Sequence, residues 1–277
     1  MASATGVPEN LPEAALNGRN HDEGLGEDEP LLGRAGDASQ PEGKPIYYNI
    51  IIGTLPPSPS LSTITKLPPG TAVIAQAGII LLVASVWASV FLNQLILFSA
   101  HPLLNSAGLL FLTQSILILQ PTHTPKQKRQ GTISHFTLNN LAIDSLIAGL
   151  IVIEYNKFAH NGTHFVSAHA ILGLITYIFL GIQALVGFTA YFFPKVYGSV
   201  DNAKSLYKWH RLSGYIILVL MLATVAAATQ TDYNKTTLGI KLWAVLISAV
   251  LVLVGVLPRI KKQKLGLGSR KAAISLQ

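Results

Sequence analysis

The chain has no cysteine among its 277 residues, and only 12% of them are charged. The first absence excludes disulfides, zinc–thiolate sites and iron–sulfur clusters, so any metal must be held by histidine, carboxylate, methionine or tyrosine. The second excludes an ordinary soluble surface, for which about a quarter of the residues are charged. Long polar runs are missing beyond residue 70. From Thr71 onward the sequence proceeds in apolar stretches of about 20 residues, the length that crosses a hydrocarbon core of about 30 Å. A basic stripe interleaved with aromatics is missing too. The net charge of +7 falls between and after the apolar blocks, a membrane-loop pattern that speaks against nucleic acid as a partner and for membrane lipids. The first 40 residues are polar and acidic, with no cleavable signal peptide, so the first apolar segment is expected to serve as the insertion signal.

What is present reads as an all-α integral membrane protein of six transmembrane helices. Turn residues and charges put them near 72–92, 102–120, 133–153, 166–192, 207–229 and 239–258, with Pro102 favouring a helix start. Residues 1–70, rich in Gly, Pro, Asn, Asp and Glu, read as a disordered cytosolic tail. Residues 71–258 form the membrane domain and 259–277 a basic cytosolic tail.

Lysine and arginine set the orientation. Lys126, Lys128 and Arg129 lie in the loop between the second and third helices. Lys195, Lys204, Lys208 and Arg211 lie between the fourth and fifth, and Arg259, Lys261, Lys262, Lys264, Arg270 and Lys271 follow the sixth. The other side has Lys157, Lys235 and Lys241. Both termini are therefore expected in the cytosol, and the two Asn-x-Ser/Thr sequons, at Asn161 and Asn234, fall on the opposite, lumenal side.

That topology sorts four helix histidines by depth. His101 and His169 begin helices that descend from the lumen, whereas His135 and His210 begin helices that rise from the cytosol. Histidine is uncommon inside membrane spans and faces the bundle interior. Two imidazoles facing each other across a bundle suit axial ligation of a haem iron, with both axial positions filled and electron transfer favoured over oxygen chemistry. One turn onward, Gly173 follows His169 and Gly214 follows His210, where a glycine lets a porphyrin edge lie against backbone. Asn105 and Asn139 take the same offset from His101 and His135. About 14 residues at roughly 1.5 Å each separate the two levels by about 20 Å. The second to fifth helices thus form a four-helix di-haem core.

These stretches resemble the cytochrome b561 family. The matching residues are Phe98-Ser-Ala-His101-Pro-Leu, His164-Phe-Val-Ser-Ala-His169 with Gly187-Phe…Phe193-Pro194 downstream, and Leu206-Tyr-Lys-Trp-His210-Arg-Leu-Ser-Gly214. The likeness covers about residues 72–258 and is closest to the short branch without sensor or sugar-binding domains. It implies an ascorbate-dependent transmembrane oxidoreductase with two haems b. Cytosolic ascorbate would reduce the haem held by His135 and His210. The haem held by His101 and His169 would pass the electron to a lumenal acceptor, monodehydroascorbate or a ferric chelate. Lys128, Arg129, Lys204 and Lys208 form a cationic rim suited to an anionic reductant. At the lumenal end the family commonly shows a histidine where this chain has Asn156, so Lys157, His160 and His164 are the acceptor-site candidates. No residue is assigned as a catalytic acid, base or nucleophile, and a homodimer is a further expectation.

Two rivals use similar residues. A ferric-reductase-like flavocytochrome places two histidines on one helix and appends a nucleotide-binding domain. A non-redox membrane hydrolase gathers His and Asp around a metal at one depth. Glu27-Asp-Glu-Pro-Leu31-Leu32 fits an acidic dileucine sorting signal and points to an endomembrane, vacuole- or lysosome-like or the endoplasmic reticulum, ahead of the plasma membrane. Asp144, in mid-span, has no role in this scheme.

Overall fold

The computed structural model describes residues 38–51 and 70–265. The dileucine motif, Arg270 and Lys271 lie outside them. Among the described residues, six spans long and apolar enough to cross a membrane follow one another, the last of them Leu242–Arg259; their α-helices are α1 Thr71–Phe91, α2 Ala100–Leu119, α3 Pro125–Ala159, α4 Ala168–Phe192, α5 Tyr207–Ala228 and α6 Leu242–Val256. A short helix, Val200–Ser205, leads into α5. The protein is a multi-pass membrane protein. Its outer faces carry the apolar side chains that lipid requires, among them Ile171, Ile178, Ile182 and Leu185 on α4, each about half exposed.

The main departure from the sequence reading is α3, which begins eight residues earlier (125 against 133) and ends six later (159 against 153). Thr124 caps it, accepting from the Gln127 backbone N–H while the Gln127 side chain returns to the Thr124 N–H, and Pro125 fills the first turn. Lys126, Lys128 and Arg129 continue the helix beyond the hydrocarbon because charge alone does not stop one. His135 is therefore the eleventh residue of α3 and not its opening residue.

α1 packs along α6 and α2, α2 along α3, and α4 along α5, while the α2–α3 and α4–α5 hairpins meet sparingly. The α1–α6 seam is close enough that a Cβ on Gly78 would lie 2.6 Å from the Ser248 carbonyl. Ile79, Leu82, Val245 and Val252 fill that seam. α1 and α6 thus brace the bundle from outside, and α2 to α5 carry the histidines.

Residues 38–51 do not fit the expectation of a structureless segment reaching residue 70. They form a turn of 3-10 helix, Ile46–Ile50, docked chiefly on the end of α2, with α1 and α3 beside it. The contact is polar. Asn49 Nδ2 donates to the Ile118 carbonyl at 2.8 Å and to Gln40 Oε1 at 3.0 Å. Gln40 N–H reaches the Pro121 carbonyl at 3.0 Å. Arg259, 2% exposed, donates from Nη2 to the carbonyls of Asn49 and Leu117. This end also holds Lys126, Lys128, Arg129, Lys204 and Lys208, and is called the basic end below.

At the opposite end, Asn234 is buried and ties the α5–α6 connection together. Its Nδ2 donates to the carbonyls of Thr229 and Ile240, both at 2.9 Å, and its Oδ1 accepts from Ile240 N–H at 3.1 Å. A side chain engaged on both atoms is no glycan acceptor. Of the two sequons only Asn161, exposed in a turn at φ +51°, is presented to an enzyme.

Candidate functional site

His101 and His169, each second in its helix, face each other from α2 and α4. Their ring centres are 6.2 Å apart and their planes 87° apart. Each ring is held from behind by a backbone carbonyl within its own hairpin. His101 Nδ1–H donates to Gly149 of α3 and His169 Nδ1–H to Thr224 of α5, both at 2.9 Å. Asn105 braces the first ring from one turn below: its Nδ2 donates to the His101 carbonyl at 2.9 Å, and its Oδ1 accepts from the Tyr177 hydroxyl at 2.8 Å. Phe98 stacks on His101 with 5.5 Å between centres.

The second level repeats the design nearer the basic end. His135 Nδ1–H donates to the Ser115 carbonyl of α2 at 3.1 Å. Asn139 donates to the His135 carbonyl at 2.8 Å and accepts from Ser115 Oγ at 3.2 Å. His210, on α5, lies within electrostatic reach of His135. It breaks the pattern, since its buried Nδ1 has no hydrogen-bond partner among the described residues. Gln183 instead donates to the His210 carbonyl at 2.7 Å and accepts from Ser213 Oγ at 2.6 Å.

A single interval organises both levels. Ser115 lies 14 residues past His101, Gly149 14 past His135, Thr224 14 past His210, and Gln183 14 past His169. Each helix therefore offers a histidine at one level and, about 21 Å along its axis, the residue that steadies the other level. Sequence reasoning supplied the histidines and asparagines but missed Ser115, Gly149, Gln183 and Thr224, for which the repeated 14-residue offset was the available signal.

An imidazole whose Nδ1–H is held presents the lone pair of Nε2 forward, as metal-ligating histidines do. The histidines come in twos, and among the described residues no group of three or more His, Cys, Asp or Glu side chains gathers as a metal site. A hydrolytic metal centre lacks its ligands there, and among the described residues no helix carries the two histidines of the flavocytochrome arrangement. The sequence profile of eukaryotic cytochrome b561 matches residues 100–238, half of the chain. The protein belongs to the cytochrome b561 family.

Curated proteins are similar to about half of this chain. A rice protein named "Probable ascorbate-specific transmembrane electron transporter 1" (Oryza sativa subsp. japonica) is 32% identical over 136 residues, 48% of this chain and 56% of its own. The maize "Ascorbate-specific transmembrane electron transporter 2" (Zea mays) is 27% identical over 135 residues, covering 47% and 55%. The human "Transmembrane ascorbate-dependent reductase CYB561" is 29% identical over 129 residues, covering 46% and 50%. This chain spans about half the length of the curated relatives it matches.

The family implies haem b, and the residues fit it. Two metal–nitrogen bonds of about 2 Å, plus about 1.2 Å from each nitrogen to its ring centre, give about 6.4 Å between imidazoles on one metal, against the 6.2 Å between His101 and His169. A Cβ on Gly173 would meet only Thr224 Cγ2, at 3.8 Å, so that glycine fronts open room beside His169. At Gly214 the nearest atom would be Gln183 Nε2, at 3.1 Å. Gly187 is tighter still: a Cβ there would lie 2.6 Å from His210 Cε1.

The substrate candidates are less gathered. Lys128 is half-buried, seven residues before His135 and so on the same face of α3, while Arg129 is exposed. Lys204 pairs with Asp201 at 3.8 Å, and Lys208 lies over the Trp209 ring at 5.6 Å. At the opposite end Lys157 donates to the Thr163 carbonyl at 2.8 Å, and His160 Nδ1–H to the Asn156 carbonyl at 2.8 Å. Each holds the turn after α3. His164 pairs with Glu154 at 3.4 Å, with Phe158 and Phe165 beside it. Glu154 was missed in sequence.

Proposed function

We propose that the protein carries electrons across its membrane, from cytosolic ascorbate to monodehydroascorbate or a ferric chelate on the lumenal side. The observation that carries this reading is the His101–His169 pair, spaced for one metal, with His135 and His210 of α3 and α5 held by Ser115 and Gln183, 14 residues along α2 and α4 from that pair. The ascorbate-linked names of the rice, maize and human relatives support it. The basic end would face the cytosol and both termini with it, on an endomembrane.

His101 and His169 would hold one haem b, and His135 and His210 a second. Bound there, each would supply a one-electron carrier. The chain's own work is to aim the rings and keep water out. The Gly149, Ser115 and Thr224 carbonyls fix three imidazoles, and Asn105 and Asn139 tie two of those helices one turn below their histidines. Leu109, Leu117, Leu146 and Leu218, all buried, pack the bundle around both levels. Lys128 and Arg129, with Lys204 and Lys208, attract the anionic donor at the basic end. Lys157, His160 and His164 line the acceptor end.

Purification, haem quantitation and an optical titration with ascorbate test the reading. The expected result is two b-type haems per chain, both reduced by ascorbate. A colourless protein ends the proposal, and haem that ascorbate leaves oxidised ends its donor half.

A further inference from the structure

The end opposite the basic end holds a cleft in the α5–α6 connection, separate from the turn after α3 that carries His160 and His164. Its volume is about 250 Å³, and Thr229, Gln230, Lys235, Gly239, Lys241 and Leu242 line it. Lys235 and Lys241 are exposed, and among the described residues neither has a hydrogen-bond or ion-pair partner. The third lysine of this end, Lys157, is spent on the Thr163 carbonyl. α6 begins at the same cleft with no side chain capping it, which adds an anion-favouring field to the two lysines. In the α3–α4 turn, by contrast, Glu154 stands beside His164 and repels an anion. The cleft has the volume of about eight waters, room for a single-ring solute and not for a bulky chelate.

Two routes tie the cleft to the His101–His169 pair. Tyr233, next to Asn234 in the connection, meets Phe98 edge to face at 4.8 Å between ring centres, and Phe98 stacks on His101 at 5.5 Å. On the other side Thr229 lies about 8 Å along the chain from Thr224, whose carbonyl holds His169.

We propose that this cleft is the acceptor site, where Lys235 and Lys241 select a small oxyanion, the radical anion of ascorbate, over a cationic or bulky metal complex. The inference rests on the electron-transfer reading above. The radical anion gains one electron, from iron held by His101 and His169 that is oxidised from ferrous to ferric. It takes one proton from lumenal water and leaves as the ascorbate monoanion. Its charge is the same before and after, so the lysines hold it and exchange no proton with it.

Ascorbate, the product anion, is the probe. The chain has no cysteine, so Gln230→Cys puts a single thiol in the cleft and Thr163→Cys a single thiol on the α3–α4 turn. In the purified, haem-loaded full chain, millimolar ascorbate should slow maleimide labelling of Gln230→Cys severalfold and leave that of Thr163→Cys unchanged. Chloride at the same ionic strength should slow neither. Adding Lys235→Gln with Lys241→Gln, which removes no internal contact, should abolish the protection. In the otherwise native chain the same double change should lower kcat/KM for monodehydroascorbate by about tenfold relative to that for hexaammineruthenium(III), a cationic acceptor, at full haem content. Labelling that ascorbate does not slow, slowing at Thr163→Cys instead, protection that outlasts the lysine changes, or an unaltered ratio would each overturn the proposal. Labelling is read without electron transfer, so a failed site is distinguishable from a failed electron-transfer reading.

Discussion

A histidine ring has two nitrogens, and what grips one decides what the other presents. In three of the four rings the grip is a backbone carbonyl on a neighbouring helix, which no side-chain substitution at the acceptor residue removes. The histidines were legible in the sequence because a polar ring in an apolar span is conspicuous, and the asparagines because they recur one turn on. The carbonyls were not, since every residue has one and only the helix register selects it. The Glu154–His164 pair was hidden for a different reason: the intervening turn holds Asn161 at φ +51°, and Phe165, just past His164, is at φ +55°, backbone states that a bulky side chain seldom adopts. The glycines make a sharp pair of predictions. Gly187→Ala drives a methyl into His210, so haem content should fall from two per chain to one, with the loss in the component assigned to His135 and His210. Gly173→Ala makes only an ordinary protein contact, so the chain should fold normally and yet lose haem beside His169 if a porphyrin edge lies there. Haem quantitation beside a thermal melt of the bundle separates the two effects. Full haem retention in both variants would contradict the proposed cradles. His101→Ala, lacking the ring itself, should leave one haem that ascorbate still reduces.

Hydrophobic length alone was enough to count the helices, and their ends were decided by chemistry that length does not see. The start of α3 turned on a capping box, and the docking of residues 38–51 on Gln40, Asn49 and Arg259, in a segment with no apolar period to announce it. A polar dock can be opened selectively. Asn49→Ala leaves the Ile118 carbonyl and Gln40 without their donor, at a cost of about 1–3 kcal/mol for groups buried unpaired. If residues 38–51 lift off as a unit, the open population rises by about tenfold at 1.4 kcal/mol. Cleavage after Glu42 by a glutamate-specific protease, at an exposed residue of that segment, should accelerate by about that factor. The haem spectrum should stay unchanged, because the histidine levels lie further along α2 to α5. Unaltered cleavage would mean that the segment is held by contacts other than Asn49.

For the molecule as a whole, the direction of electron flow depends on which end of the bundle meets the cytosol. The charge asymmetry is strong, with six lysines and arginines after α6 and only Lys157, Lys235 and Lys241 on the other side. Of the two sequons on that side, Asn234 is consumed by the α5–α6 turn. Orientation can be read without glycans, again because the chain supplies no cysteine of its own. Gln130→Cys lies exposed in the first turns of α3 at the basic end, and Thr163→Cys lies exposed in the α3–α4 turn at the other. Thr163 contributes only its carbonyl to the Lys157 contact, so that substitution keeps the turn intact. In cells whose plasma membrane alone is permeabilised, a membrane-impermeant maleimide should label Gln130→Cys at once and Thr163→Cys only after detergent. The reverse pattern would place His101 and His169 on the donor side. Lys128 and Arg129 would then face the acceptor, and ascorbate would have to enter where Glu154 and His164 stand.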